Sequence, residues 1–200
     1  MAFRRAEKKA VQFVESLIDT HGWDVDKHSS GETELAHRPK DMETLRARAS
    51  RISENYQVHA TLFEQADLAQ EGLNAGLFYG AMTVPIGLAL NPRKYLRGML
   101  GEARLAGAAL FSKSPVTSIS RHGLGIRLEC NGRVVNAGQV ILATNAYSSE
   151  DVPGWMAGRY MPTQSTVLVT RVLTETELHA QGWWSDQMCL EVVAGFRTSC

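Results

Sequence analysis

Apolar residues at Phe3, Ala6, Ala10, Phe13, Val14, Leu17 and Ile18 return at three- and four-residue steps. That period predicts a helix over residues 3–20, with Gly22 as its stop. A stripe that begins this early needs a partner surface later in the chain. The next two blocks, WDVDKHSS and ETELAHR, meet at Ser29-Ser30-Gly31 and predict a β-hairpin over residues 23–38. Pro39 opens a second helix whose inner face carries Met42, Leu45, Ala49, Ile52 and Tyr56, and the arginines around it read as a solvated face. Glu64–Leu68 predicts a short helix. Leu77–Val84 predicts a strand, in which Gly76 and Gly80 mark a bend or the close approach of another group.

The richest pattern lies between Asn91 and Tyr147. Pro92 starts a helix with Leu96, Met99, Leu100 and Ala103 as its buried stripe and Gly107 as its stop. Ala108–Phe111 predicts a short apolar strand, and residues 115–119 an extended segment. Ile126–Cys130 and Arg133–Val135 predict the arms of a hairpin around Asn131-Gly132, a strong two-residue turn signal. Val140-Ile141-Leu142-Ala143 is apolar without alternation, which predicts a strand covered on both faces, as in a parallel sheet between helical layers. Residues 148–158 read as loop and Gln164–Val172 as a strand. Thr174-Glu175-Thr176-Glu177 is a capping box that opens a short helix, followed by Trp183-Trp184.

Composition narrows the partner. The 44% hydrophobic and 21% charged content is that of a globular protein, and Lys+Arg and Asp+Glu are both 21. With no net charge, nucleic acid and anionic membrane are not the expected partners, and a small molecule is. Cys130, Cys189 and Cys200 stand far apart and form no C-x-x-C, so a reduced, cytoplasmic setting is expected. The start, MAFRRAEKKAVQFVESLIDTHG, is broken by Glu7, Glu15 and Asp19 and is not a secretory signal. No window approaches the ~18 apolar residues of a membrane span. The six histidines lack metal-ligand spacing, so no metal is expected.

In open α/β sheets a ligand binds beyond the carboxyl ends of the strands. For the best buried strand that end is Ala143-Thr144-Asn145-Ala146, where small residues admit a ligand to the backbone; the competing reading is an ordinary polar turn.

Four pieces carry a resemblance: Asn91-Pro92-Arg93-Lys94-Tyr95-Leu96, Ala106-Gly107-Ala108, Ser114-Pro115-Val116-Thr117-Ser118-Ile119, and Val140-Ile141-Leu142-Ala143-Thr144-Asn145-Ala146-Tyr147-Ser148. Together they resemble the FAD-dependent oxidoreductases typified by D-amino-acid oxidase. The Thr-Asn form of the last piece is most similar to the gamma-glutamylputrescine oxidoreductase-like branch. The resemblance spans Phe3 to about Cys189 and is specific over Asn91–Ser148; LEVVAGFRTSC after it departs from the family pattern.

The resemblance implies a mixed α/β fold: an incomplete FAD-binding doubly wound sheet beside an antiparallel substrate-domain sheet. That second sheet would comprise the Trp23 hairpin, Leu77–Val84 and Gln164–Val172, facing the flavin ring. Residues 1–22 would lie at the junction, 23–90 and 153–200 in the substrate part, and 91–152 in the FAD-binding part. Val116 would meet the adenine of FAD through its main chain. Ala143, Thr144 and Asn145 would lie under the ribose and diphosphate, with Asn145 where the wider family usually has Gly. The implied activity is oxidation of the C–N bond of an amine or amino acid by hydride transfer to flavin. Tyr79, His59 and Arg171 are catalytic candidates by type only, and a structural reading of each is preferred.

The family's G-x-G-x-x-G diphosphate motif does not occur in the 200 residues. The expectation is therefore an internal piece of a longer enzyme, cut at both ends, with a frameshift near residue 190 as one cause. Weak flavin retention and a tendency to aggregate are expected with it. The alternative from another class is a non-catalytic remnant that holds no flavin and acts, if at all, as a binding module.

Overall fold

The computed structural model describes residues 2–74, 76, 78–161 and 163–192. The chain forms two compact units, one from residues up to Ala106 together with those from Arg171 onward, the other from Gly107–Thr170.

The first unit opens with α1 (Ala2–His21), closed by Gly22 at φ +62°. Its partner is α2 (Pro39–Tyr56): Lys8 Nζ donates to the carbonyls of Tyr56 and Gln57, and Arg4 donates to the Tyr56 hydroxyl at 2.8 Å. Of the α1 stripe Ile18 is buried, whereas Phe3 and Phe13 remain exposed. The α2 stripe behaves as its period predicts, with Met42, Leu45 and Ala49 buried. They pack with Ala36, Ala60 and Met82 on one face of a sheet.

That sheet has the order β2 (Thr61–Glu64), β3 (Gly80–Val84), β1 (Glu32–Leu35), β7 (Met188–Glu191). β1 runs antiparallel to β3 and parallel to β7, and β2 is antiparallel to β3. The sheet is therefore mixed. Its fourth strand is Met188–Glu191 and not Gln164–Val172, which forms no strand.

The expected hairpin over residues 23–38 is corrected as well. Positive φ at Asp26, Ser29 and Gly31 breaks the extended path. Residues 23–30 lean on the segment after β3 instead: His28 and Ala89 exchange backbone hydrogen bonds at 3.0 and 2.9 Å, and the Gly31 N–H donates to Gly87 O. Glu64–Leu68 is not a helix. The Asp67 carboxylate caps the Glu64 N–H at 2.9 Å, and the chain turns to bury Leu68 on the sheet face opposite α2. The expected strand over 77–84 is shortened to β3; Leu77 lies outside the described residues.

Gly80 does meet the close approach its position suggested. A Cβ there would stand 2.6 Å from both Met42 Sδ and the Phe63 carbonyl oxygen. Two of the arginines read as solvated instead tie α2 to the sheet: Arg48 forks onto Glu34 at 2.7 and 2.8 Å, and Arg46 grips Glu64.

Alternation along the strands sorts the two faces. Glu32, Glu34, Met82 and Val84 face α2. On the other face the register sets Thr61 beside Thr83, Thr83 beside Thr33, and Thr33 beside Cys189, a row crossing all four strands. Thr33 is fully buried, and its hydroxyl shares a 2.6 Å hydrogen bond with that of Thr83.

α3 (Pro92–Leu105) is capped by Asn91, whose side chain accepts from the Arg93 and Lys94 N–H groups. Its expected stripe is not buried: Leu96, Met99 and Leu100 are all exposed, and no residue of the helix is fully covered. Among the described residues its side-chain contacts come from Trp23 and its neighbours, with the Trp23 ring packed at Gly98 and edge-on to Tyr95 and His21, Asp24 and Asp26 paired to Glu102 and Lys94.

α4 (Glu175–Gln181) starts on the capping box read from the sequence, with Thr174 Oγ1 accepting from the Glu177 N–H and the Glu177 carboxylate accepting from the Thr174 N–H. Arg171 also donates to Glu177 at 2.9 Å, and this, ahead of Thr174, holds the Glu177 carboxyl down at about 2. In the unfolded chain the same group protonates near its ordinary 4.5. Its contribution to α4 is thus whole above pH 4.5 and lost as pH falls towards 2. The protection of the Glu175–Gln181 amides, taken relative to unstructured-peptide exchange at the same pH, is expected to fall over that window, and Thr174→Ala to bring the same fraying at neutral pH, at a cost of about 1 kcal/mol.

The second unit holds an antiparallel sheet of β4 (Val116–His122), β5 (Gly125–Cys130) and β6 (Arg133–Ala137). Asn131 at φ +49° and Gly132 at φ +72° form the predicted tight turn between β5 and β6. The α/β class expected from the sequence is the one observed.

Candidate functional site

The residues assigned to the cofactor all lie in the second unit. Val116 opens β4 opposite Cys130, at the edge of the three-stranded sheet, and a register irregularity separates it from Ser118. On an edge strand every second residue turns its N–H and C=O away from the neighbour, which leaves backbone groups free for a ligand with a donor–acceptor edge.

Ala143, Thr144 and Asn145 follow a segment that departs from expectation. Gln139–Ala143 is not a strand, and among the described residues it makes no backbone hydrogen bond. Ile141 is 90% exposed. An all-apolar strand needs a pairing neighbour and two covering layers, and the second unit brings neither to this run. Ala108–Phe111 is not a strand for the same reason, and Phe111 is exposed.

At the end of the run the chain turns through a short 3-10 helix, Asn145–Tyr147. Thr144 Oγ1 and Ser148 Oγ share a 2.6 Å hydrogen bond, and Ser148 Oγ reaches Asn145 O at 2.7 Å. Asn145 sits at φ +48°. That conformation suits Gly, and Asn tolerates it better than most other residues. Asn145 can therefore hold the backbone bend that a Gly would hold here. The structure thus brings Ala143, Thr144 and Asn145 together on one exposed bend, and among the described residues no hydrogen bond links them to Val116.

These features suit the adenine and ribose side of a dinucleotide: an edge strand, a run of open peptide groups, and a left-handed bend with hydroxyls beside it. Donors for a diphosphate are a different matter. No helix N-terminus is built at the bend beyond one 3-10 turn.

The residues considered as catalytic by type do not converge. Tyr79 is half-exposed and its N–H donates to Ala36 O, His59 is exposed beside Ala60, and Arg171 is engaged with Glu177. Among the described residues no group of His, Cys, Asp and Glu side chains could hold a metal ion, and no helix is long and apolar enough to cross a membrane.

Similarity to known proteins agrees with this fold. The chain resembles the solved glycine oxidase from Geobacillus kaustophilus at 20% identity and a TM-score of 0.59, covering 72% of this chain and 38% of that one. It resembles L-proline dehydrogenase from P. horikoshii at 18% identity and a TM-score of 0.61, with the same coverage. NikD, an unusual amino acid oxidase essential for nikkomycin biosynthesis, matches at 18% identity and a TM-score of 0.57, covering 72% and 37%. At these identities the likeness is one of fold, and the chain spans less than two-fifths of the length of these proteins. No curated protein sequence matches it. The family model for FAD dependent oxidoreductases (DAO) matches residues 1–197, past Cys189 and through most of the tail expected to depart from the family. The chain belongs to the DAO family of FAD-dependent oxidoreductases.

Proposed function

We infer that this chain forms part of an enzyme that oxidises the C–N bond of a small amine or amino acid. The observation that supports the reading most directly is the bend at Ala143-Thr144-Asn145, left-handed at Asn145 and preceded by open peptide groups. FAD, when bound, accepts a hydride from the carbon next to nitrogen. The chain's own part is to hold and orient it: Val116 offers main-chain groups to the adenine, and Ala143, Thr144 and Asn145 let the ribose and diphosphate approach the backbone. Residues 23–90 and 153–200 form the substrate part, which holds the four-stranded sheet, with 91–152 the FAD part and 1–22 the junction. Within the family the gamma-glutamylputrescine oxidoreductase-like branch fits the Thr144-Asn145 pair best, and a cytoplasmic setting fits the cysteine usage. Membership of an FAD-dependent family and neighbours named as amino acid oxidases support this reading over a non-catalytic binding module.

FAD titration of the chain, followed by flavin fluorescence, tests the site. Weak, saturable binding competed by AMP is expected, unchanged in Asn145→Gly and lost in Asn145→Val, whose β-branched side chain resists positive φ. Binding indifferent to Asn145→Val and to Val116→Pro would sink the assignment. In the flavin-loaded protein, anaerobic bleaching by amines or amino acids is expected; bleaching by hydroxy acids alone would overturn the C–N reading.

A further inference from the structure

The bend after Ala143 carries hydroxyls whose protons run in one direction. Ser148 Oγ stands 2.7 Å from Asn145 O. A carbonyl oxygen only accepts, so the single hydroxyl proton of Ser148 is spent there. Ser148 Oγ also shares a 2.6 Å hydrogen bond with Thr144 Oγ1. With the Ser148 proton already placed, Thr144 must be the donor in that bond. Its own single proton is then committed, and Thr144 Oγ1 keeps only lone pairs for a further partner.

The backbone acceptors of the bend are occupied. Asn145 O accepts from the Ser148 N–H at 3.2 Å as well as from the Ser148 hydroxyl, which uses both its lone pairs. Thr144 O accepts from the Tyr147 N–H at 3.0 Å. Ser148 is half-buried and is held by Tyr160, whose hydroxyl donates to Ser148 O at 2.7 Å. Two contacts fold the intervening loop back: the Gly158 N–H donates to Glu150 at 3.1 Å, and the Val152 N–H to Ser149 Oγ at 3.2 Å. The Thr144–Ser148 bond itself is exposed, so Thr144 Oγ1 is the acceptor left for a ligand.

Such an oxygen selects by protons. A sugar hydroxyl brings the donor it needs, whereas a diphosphate oxygen at neutral pH brings only another acceptor. Charge points the same way, since residues 139–158 hold Glu150 and Asp151 and no Lys, Arg or His. We propose that Ser148 is a positioning residue for nucleotide binding: by taking the Thr144 proton it fixes Thr144 Oγ1 as an acceptor for a ribose hydroxyl. Tyr160 holds the backbone of Ser148 and leaves the proton direction untouched. The proposal rests on the assignment of this bend to the nucleotide, and not on the C–N oxidation reading.

The test is a titration of the whole chain with AMP and with 2′,3′-dideoxy-AMP, which lacks both ribose hydroxyls, read by NMR at the Asn145, Tyr147 and Ser148 amides. The parent is expected to bind AMP about tenfold more tightly, the worth of one hydrogen bond. Thr144→Val is expected to abolish that preference. Ser148→Ala, which frees the Thr144 proton, is expected to cut it to about threefold or less, and Ser148→Thr, which keeps the hydroxyl, to restore it. Tyr160→Phe is expected to weaken both nucleotides alike and to leave their ratio unchanged, as a loosened backbone does. Because the readout is a ratio, a variant that only lowers the folded fraction does not move it. A parent without preference, a Ser148→Ala variant that keeps the full tenfold, or a Tyr160→Phe variant that loses it would overturn the proposal. Equal binding of the two nucleotides at shifted amides would sink the role of Ser148 alone. No shift with AMP or FAD would sink the nucleotide assignment and this role together.

Discussion

Gly31→Ala is expected to cost the first unit more than about 4 kcal/mol, or to prevent it from folding. Gly31 holds φ +86°, and a Cβ there would stand 2.0 Å from Val84 O, 2.7 Å from Pro85 Cα and 2.9 Å from Val84 C. All three are backbone atoms, so no rotamer change relieves the overlap. The backbone that would have to move carries the end of β3, the Gly31-to-Gly87 hydrogen bond and the carbonyl gripped by Gln187. At about 2–4 °C per kcal/mol for a chain of this size, the melting temperature falls by roughly 8–16 °C. A variant melting within a few degrees of the parent would show that the turn relaxes and that the close approach is not structural.

Leu45→Ala is the second large effect. Leu45 has no exposed surface and packs among Met42, Ala49, Ala36, Ala60 and Met82, between α2 and the sheet. Alanine keeps the helix, so the loss is one of burial and cavity formation, about 2–5 kcal/mol. Leu100→Ala is the matched control on α3. Leu100 is 37% exposed, and its truncation is expected to cost about 1 kcal/mol or less. Urea unfolding of the two variants checks the pair. Equal costs would mean that the α3 stripe is as well covered as the α2 stripe.

What could be read in the chain was what its neighbours in sequence decide. Pro39, Asn91-Pro92, Asn131-Gly132 and the Thr174–Glu177 box act within a few residues of themselves, and each does locally what its chemistry predicts. Pairing across long separations was not legible. ETEL alternates as a strand should, yet nothing near it announces β3 or β7 as its partners. Arg46 and Arg48 looked solvated because Glu64 and Glu34 come to them only through the packing of α2. The apolar runs at 140–143 and 164–172 were read from their content alone, and a strand exists only where a neighbour accepts its hydrogen bonds. The threonine row across the sheet was invisible for a related reason. ETEL, TLFE and GAMTV each hold one threonine, and only the register sets the three side by side. A parity count along each strand would have put them on one face, but not in one row.

The parallel pairing of β1 with β7 also orders events during synthesis. β1 ends at Leu35 and β7 begins at Met188, with the whole second unit encoded between them. At 5–20 residues per second, β1 waits roughly 8–30 s on the ribosome before its second neighbour exists. Through that interval its outer edge is an unpaired template beside a forming core, the kind of surface that recruits other chains. Gln187, one residue before β7, brings the polar clasp that fastens this last strand to the first turn.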